Sequence, residues 1–527
     1  MNFIKDETHL GLSSMSSPWP LIILATSLPL YAYFRSTRSK LPLPPSPPKH
    51  WIRGNADQLS LPHRYVVYAT EYKEKYGDII SLTTPNETQI ILNTAELASE
   101  LLDKQSAHTS DRIYNVMAND IMDWGASVGF YPYDERLKKA RRVIASALHI
   151  TAAKSYAPQH YESTLDLIHM IIANPNDYQK HINWVTGAFI LRLTYGYNAI
   201  EDDPVLNVVR MAISYLGKAL TKLYWVNYFP ALKHVPAWVP GAGFQLVGRE
   251  GRYYRNRMVN ELFDDVYDQV RHGQVKQPSY TSKLLEAKGG AMITEEDASL
   301  IRITAGSMYT DVFIQTVALV VAFILEMALH PEIAKAARAE IDSVVGRDRL
   351  PMLPDREKLP FFDAVLLEVM RLWPPSPIGV AHRASREVEF RGYRIPKDAA
   401  IFSNIWAITR DPALYSSPHA FNPERFTKPL SDSDPRKYIF GFGKRICPGV
   451  NVANNSTFIM CAGLLSVFDM VATPELAAEI EALGGRSSFN LHKLSSAYSL
   501  VTDILPFSVT FRLRDAAAAA LVEGAHK

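Results

Sequence analysis

The sequence predicts a mainly α-helical fold with a small β part, built as one large domain behind an apolar N-terminal segment. Three observations lead there. Ser299 to Leu329 has no proline and a dense apolar pattern, which predicts a long buried helix of roughly 45 Å at 1.5 Å per residue. The strand-like pieces are short: Ile79 to Thr83, Thr88 to Leu92 and Glu387 to Tyr393. No internal repeat or long linker interrupts the chain between His50 and Phe511.

Composition agrees. Of 527 residues, 47% are hydrophobic and 21% charged, enough for a large core and against wholesale disorder. A net charge of +2 gives no global case for a nucleic-acid partner. Two cysteines exclude a disulfide scaffold and suit a reducing compartment.

Taken in order, the chain divides into residues 1–40, an apolar anchor with a basic flank; 41–51, a proline-rich hinge; 52–513, the body; and 514–527, an alanine-rich tail. Pro18 to Phe34 carries no charge and has aromatics near both ends. It is short for a span of ~20 apolar residues, Pro20 and Pro29 disturb it, and a cleaved signal peptide is the rival reading. Arg35, Arg38 and Lys40 follow it, whereas Lys5 is offset by Asp6 and Glu7. Positive flanks stay cytosolic, so an anchor with a cytosolic body is expected. Leu41 to Trp51 (LPLPPSPPKHW) favours extended polyproline II and a stiff spacer, with an SH3-type ligand as the alternative. His330-Pro331-Glu332 stops the long helix and opens another.

Chemistry concentrates at Phe440 to Gly449, FGFGKRICPG. A thiolate is a strong iron ligand, and a nearby cation or metal favours it. Glycines permit sharp turns and close approach to a flat macrocycle, and Pro448 is suited to open a helix. The spacing F-x-x-G-x-R-x-C-x-G is met by Phe440, Gly443, Arg445, Cys447 and Gly449. It resembles the haem-ligand loop of the cytochrome P-450 family, which implies that fold, haem b as cofactor and Cys447 as the iron's axial ligand. Cys461 is too distant to complete a zinc motif.

Other residues follow from the resemblance. Glu368 and Arg371 lie one helical turn apart, and Arg425 sits in FNPERF; they match the family's Glu–Arg–Arg brace, a structural role. Arg445, Arg383 after His382, and Arg141 in ERLKKARRV match positions that hold haem propionates. The family's usual tryptophan four residues before that last arginine is Leu137 here. Lys138, Lys139, Arg142, Arg436, Lys437 and Lys444 form either a positive patch for an electron donor or a merely solvated face.

The distal side departs from the family. Counted back from His330-Pro331-Glu332, the acid–threonine pair falls on Ile314 and Gln315, followed by Thr316. Ala305-Gly306-Ser307 resembles the family's small-residue groove but sits about two turns early. Three accounts stand: a monooxygenase using Gln315, Thr316 and water for proton delivery; an isomerase or dehydratase acting on a substrate with an activated O–O or N–O bond; or a non-catalytic haem-binding protein. Substrate-facing positions are expected at Met308, Asp311, Val312, Ile314 and Gln315, at Ile378, Gly379 and Val380, and in Ile113 to Trp124. Their apolar character suits a lipophilic small molecule.

YGYNAIEDDP (Tyr195 to Pro204) and HVPAWVPGAGF (His234 to Phe244) resemble a fungal branch serving secondary metabolism. The resemblance implies a membrane-anchored monooxygenase of the endoplasmic reticulum, with NADPH–cytochrome P-450 reductase and membrane lipid as partners and no nucleic acid.

Overall fold

The computed structural model describes residues 41–427, 432–498 and 501–524, with the backbone alone described at 310–314. The expected anchor, residues 1–40, lies outside the described residues. The principal helices are α1 (Glu135–Leu148), α2 (Ala157–Ala173), α3 (Tyr178–Tyr195), α4 (Pro204–Thr221), α5 (Phe244–Arg271), α6 (Tyr280–Ala287), α7 (Glu295–Leu329), α8 (Pro331–Val345), α9 (Pro360–Leu372), α10 (Val450–Val467), α11 (Pro474–Ala482) and α12 (Ala516–Gly524). The strands are β1 (Ile79–Thr83), β2 (Thr88–Leu92), β3 (His382–Arg383), β4 (Val388–Phe390), β5 (Tyr393–Ile395), β6 (Ala400–Ser403), β7 (Phe468–Ala472) and β8 (Val509–Leu513).

The long helix starts earlier than its apolar pattern. Thr294 accepts a hydrogen bond from the Asp297 N–H (3.2 Å), and Glu295, Glu296 and Asp297 lie in the first turn, where the helix dipole favours acids. At 35 residues, α7 runs about 52 Å. It stops at Leu329 because His330 leaves helical geometry ahead of Pro331. Its C-terminal half packs against α3, α9, α10 and β7 in the largest apolar cluster. Its N-terminal half lies in a second cluster with α1 and α5. A helix apolar all round is buried, as its pattern demands.

β1 and β2 have the bounds that the sequence predicts. They pair antiparallel, β2 runs parallel to β6, and β3 closes the sheet in the order β1-β2-β6-β3. The single strand expected at Glu387 to Tyr393 is instead a hairpin. β4 and β5 pair around Arg391 and Gly392, both at positive φ (51° and 80°), the two-residue turn whose twist suits antiparallel strands.

The proline segment is extended and lies against the body. The carbonyls of Pro42, Pro44 and Pro45 accept hydrogen bonds from Arg394 N–H (2.9 Å), Ser81 Oγ (2.6 Å) and Ser81 N–H (2.8 Å). The alanine run forms α12, with Ala518 and Val522 buried. Among the described residues, Val450–Val467 alone is a single helix long and apolar enough to cross a membrane, but it is 72% buried within the molecule and is a core helix.

Candidate active site

The cysteine loop is fixed from below by two buried phenylalanines, Phe440 and Phe442, and closed by Cys447 N–H donating to the Phe440 carbonyl (2.8 Å). Gly441 and Gly443 adopt positive φ (83° and 55°). At Gly443 the close approach is to protein. A Cβ there would lie 2.2 Å from the Leu102 carbonyl oxygen, and the Gly443 N–H donates to Asp103 Oδ1 (2.6 Å). The loop is thus seated on the turn Ser99–Lys104. Cys447 is half-buried just ahead of α10.

Beside it converge three guanidiniums and an imidazole. Arg445 is buried, its Nε donating to Ser110 O (2.6 Å) and its Nη2 to Tyr131 O. Arg141 Nη2 donates to Ile446 O (2.7 Å). Arg112 Nη1 donates to Val380 O (3.0 Å) and Ala381 O (2.7 Å). His382 Nδ1–H donates to Thr109 O (2.8 Å). Burial, then Arg112 and Arg141, push Arg445 down to about 9, and Asp111 and Asp134 offset this only in part. Burial and Arg112 push His382 down to about 3. Three guanidiniums gathered at one place suit an anion.

The same place has an apolar side. Val380 and Ile446, whose carbonyls Arg112 and Arg141 hold, are 59% and 48% exposed. An apolar surface edged by cations next to a thiol fits a flat, amphiphilic group with an anionic margin, as haem is.

Arg383 is engaged by carboxylates on two of its nitrogens. Its Nη1 and Nη2 pair with Asp398 (3.1 Å) and Asp111 (3.3 Å), and Arg112 stands in the cluster with Arg141 and Arg445. Arg112 has no spacing signal in the sequence, since it is a lone loop arginine; Ser-Asp-Arg beside Ile113 is the only hint. Leu137, where the family has tryptophan, is buried in the core.

The brace behind the loop forms fully. Arg371 Nε and Nη2 meet Glu368 Oε2 and Oε1, and Arg425 Nε donates to Glu368 Oε1 (3.2 Å). Arg371 also donates to the carbonyls of Thr409 (2.9 Å), Pro418 (2.6 Å) and Ala420 (3.1 Å). Arg425 Nη1 reaches Asp432 (2.6 Å). Bidentate, charge-assisted bonds of this kind fix geometry.

On the distal helix, Thr316 is buried and Gln315 half-buried. The side chains of Asp311, Val312 and Ile314 lie outside the described residues. Met308 and Ile378 are buried in apolar clusters. Ala305-Gly306-Ser307 is a packing seat: a Cβ on Gly306 would lie 3.0 Å from Val259 of α5, and Ser307 Oγ accepts from Val128 N–H (3.1 Å). Within Ile113 to Trp124, Ile121 and Met122 rest on Gly248 and Gly251 of α5, and Asp120 pairs with Lys233 (2.7 Å). Of the basic patch, Lys138, Lys139 and Arg436 pair with Glu135, Glu296 and Asp434.

Comparison with known proteins agrees with this geometry. The family model described as cytochrome P-450 matches residues 44–484. Cytochrome P-450 monooxygenase COX1 of Coprinopsis cinerea is 33% identical over 95% of this chain and 99% of its own. The ppsD monooxygenase of Aspergillus oryzae is 36% identical over 81% of this chain and 82% of its own. Tryptamine 4-monooxygenase of Psilocybe cyanescens is 32% identical over 85% and 91%. A zebra fish cytochrome P-450 solved with progesterone superposes with a TM-score of 0.70 at 23% identity, covering 85% of this chain and 99% of that one, which shows the fold.

A helical body of this topology around a cysteine loop defines a haem-thiolate oxidoreductase fold. The chain belongs to the cytochrome P-450 family and is a monooxygenase with haem b as its cofactor. The isomerase, dehydratase and non-catalytic readings are not favoured, since these relatives are named as monooxygenases.

Proposed function

We propose that this protein is a membrane-anchored monooxygenase of the endoplasmic reticulum that oxidises a lipophilic small molecule in fungal secondary metabolism. Its electrons come from NADPH–cytochrome P-450 reductase. The observation that carries the reading is the half-buried Cys447 beside the Arg112–Arg141–Arg445 cluster.

Haem b, when bound, supplies oxygen activation and C–H oxidation. Cys447 holds the iron through sulfur, and the start of α10 favours the thiolate. Arg112, Arg141 and Arg445 would hold the propionates, while His382, neutral and tied to the Thr109 carbonyl, positions the strand beside them and Val380 and Ile446 would cover apolar surface. Phe440 keeps the loop rigid. Glu368, Arg371 and Arg425 brace the chain behind it. Gln315 holds a water by its amide, and Thr316 continues the hydrogen-bonded path for protons, because no acid stands at position 314. Met308 and Ile378 shape the wall behind the substrate, Val380 borders it, and Asp311, Val312 and Ile314 are further candidates for substrate contact. Arg142, Lys437 and Lys444 steer the reductase to the cysteine side. Residues 1–40 anchor the chain, 41–51 pass to the body, 52–513 carry the chemistry, and 514–527 end the chain. The curated relative named for tryptamine supports indole-type compounds within the substrate class.

The test is expression beside an NADPH-dependent reductase, with metabolites compared against cells lacking this chain. Substrate-dependent NADPH and oxygen consumption is the expected result. Turnover of a peroxide substrate without reductase, and none with it, would overturn the reading.

A further inference from the structure

The last turn of α7 carries Glu326, whose side chain is 1% exposed. Trp373 Nε1–H donates to its Oε1 (2.7 Å). Among the described residues, its Oε2 has no hydrogen-bond partner, and His330 Nε2, 3.4 Å away, has none either. A cavity of about 20 Å³ opens at this carboxylate, lined by the polar groups of Glu326, Trp373, Arg410, His419, Ser488 and His492 and by Leu372, Phe489 and Leu491. That is room for one or two water molecules, and the polar part of the mixed wall offers them partners. An orphaned buried oxygen of this kind is costly unless water or a proton satisfies it.

The charged and titratable groups around it come from every neighbouring element. His330 and Glu332 follow on the chain. Glu368 and Arg371 face it from α9, and Arg410 from the segment behind the brace. His419 stands beside Arg410 and Arg371, and Arg486 acts on His330. His492 stands near Lys493 and contacts the His63 ring (4.9 Å). Burial dominates at Glu326: reinforced by the Glu368 charge and opposed by Trp373 and the two arginines, it pushes the carboxyl up to about 7.

We propose that this cavity is a water-and-proton site in which an ordered water bridges Glu326 Oε2 to the Arg410–His419 wall and Glu326 reversibly takes up one proton. The site joins the end of the distal helix to the Glu368–Arg371 brace, so the body's stability responds to that proton. The ordinary carboxyl value is 4.5. A raised folded value gives stability that is complete below the ordinary one and is lost as pH rises through about 7. The histidines act oppositely. His419 and His492 are pushed down to about 4, and His63 and His330 also downward, so their contribution is lost as pH falls. The difference between wild type and Glu326→Gln isolates the carboxyl.

The experiment is urea unfolding of the holoenzyme from pH 5 to 8, wild type against Glu326→Gln, with infrared spectra of both. Relative to the variant, the wild type's unfolding constant should rise about tenfold per pH unit between the two values. A carboxylic-acid carbonyl band should be present in the wild type at pH 5.5, vanish by pH 8 and be absent from the variant. That absence separates it from Glu87 and Asp503, which burial also raises. If Glu326→Gln does not fold, Trp373→Phe should shift the same band by removing the indole N–H. Parallel unfolding curves, a band unmoved by these substitutions, or a high-resolution structure with an empty cavity would overturn the proposal.

Discussion

Glu368 and Arg371 meet side-on, Nε to Oε2 and Nη2 to Oε1, each at 2.7 Å, with neither side chain reaching solvent. One helical turn places them on one face, but burial turns a minor surface pair into a joint. Glu368 also accepts from Arg425 and from the Asn422 N–H (2.8 Å). Removing one partner leaves a charge stranded. Glu368→Ala or Arg371→Ala should each cost about 3–5 kcal/mol, read as a lower urea midpoint and poor haem incorporation. An unchanged midpoint would show that the pair bears no strain.

The two loop glycines should behave differently. Gly443→Ala places a methyl 2.2 Å from the Leu102 carbonyl oxygen at a φ of +55°, so the loop must lift and haem content should fall sharply with helical content kept. Gly441→Ala meets its nearest atom at 3.8 Å. It should cost only the backbone strain of about 1–2 kcal/mol. Pigment content and far-ultraviolet dichroism of the two variants check this.

The arginines divide by their partners. Arg112→Ala, Arg141→Ala and Arg445→Ala should each weaken haem retention, seen as faster transfer to apomyoglobin. Arg383→Ala should leave retention near wild type, because its guanidinium already serves Asp111 and Asp398. Equal loss in all four would return Arg383 to the propionate set.

Gly251 seats Met122: a Cβ there would lie 2.8 Å from the sulfur. Gly251→Val should displace Ile113 to Trp124 and raise KM severalfold, with the carbon-monoxide spectrum unchanged. An unaltered KM would remove this segment from the substrate wall.

What the sequence revealed follows from how each feature is encoded. The long helix and the cysteine loop are local: dense apolar patterning and five spaced residues specify them without reference to the rest of the chain. The Glu368–Arg371 pair was legible for the same reason. Arg112 was not, because its meaning lies in a distant neighbour, Arg445. Ala305-Gly306-Ser307 looked like a distal groove because small residues serve helix packing equally well, and only Val259, far away in sequence, shows which use applies. Arg391-Gly392 hid a turn within a strand-like run because arginine gives no hint of positive φ.

The central claim is sulfur ligation by Cys447. The direct measurement is the reduced, carbon-monoxide-bound absorption spectrum of the purified protein and of Cys447→His. The account predicts a thiolate-type Soret band in the wild type and its replacement by an imidazole-type band in the variant. A wild type without the thiolate band, or a variant that retains it, would contradict the account.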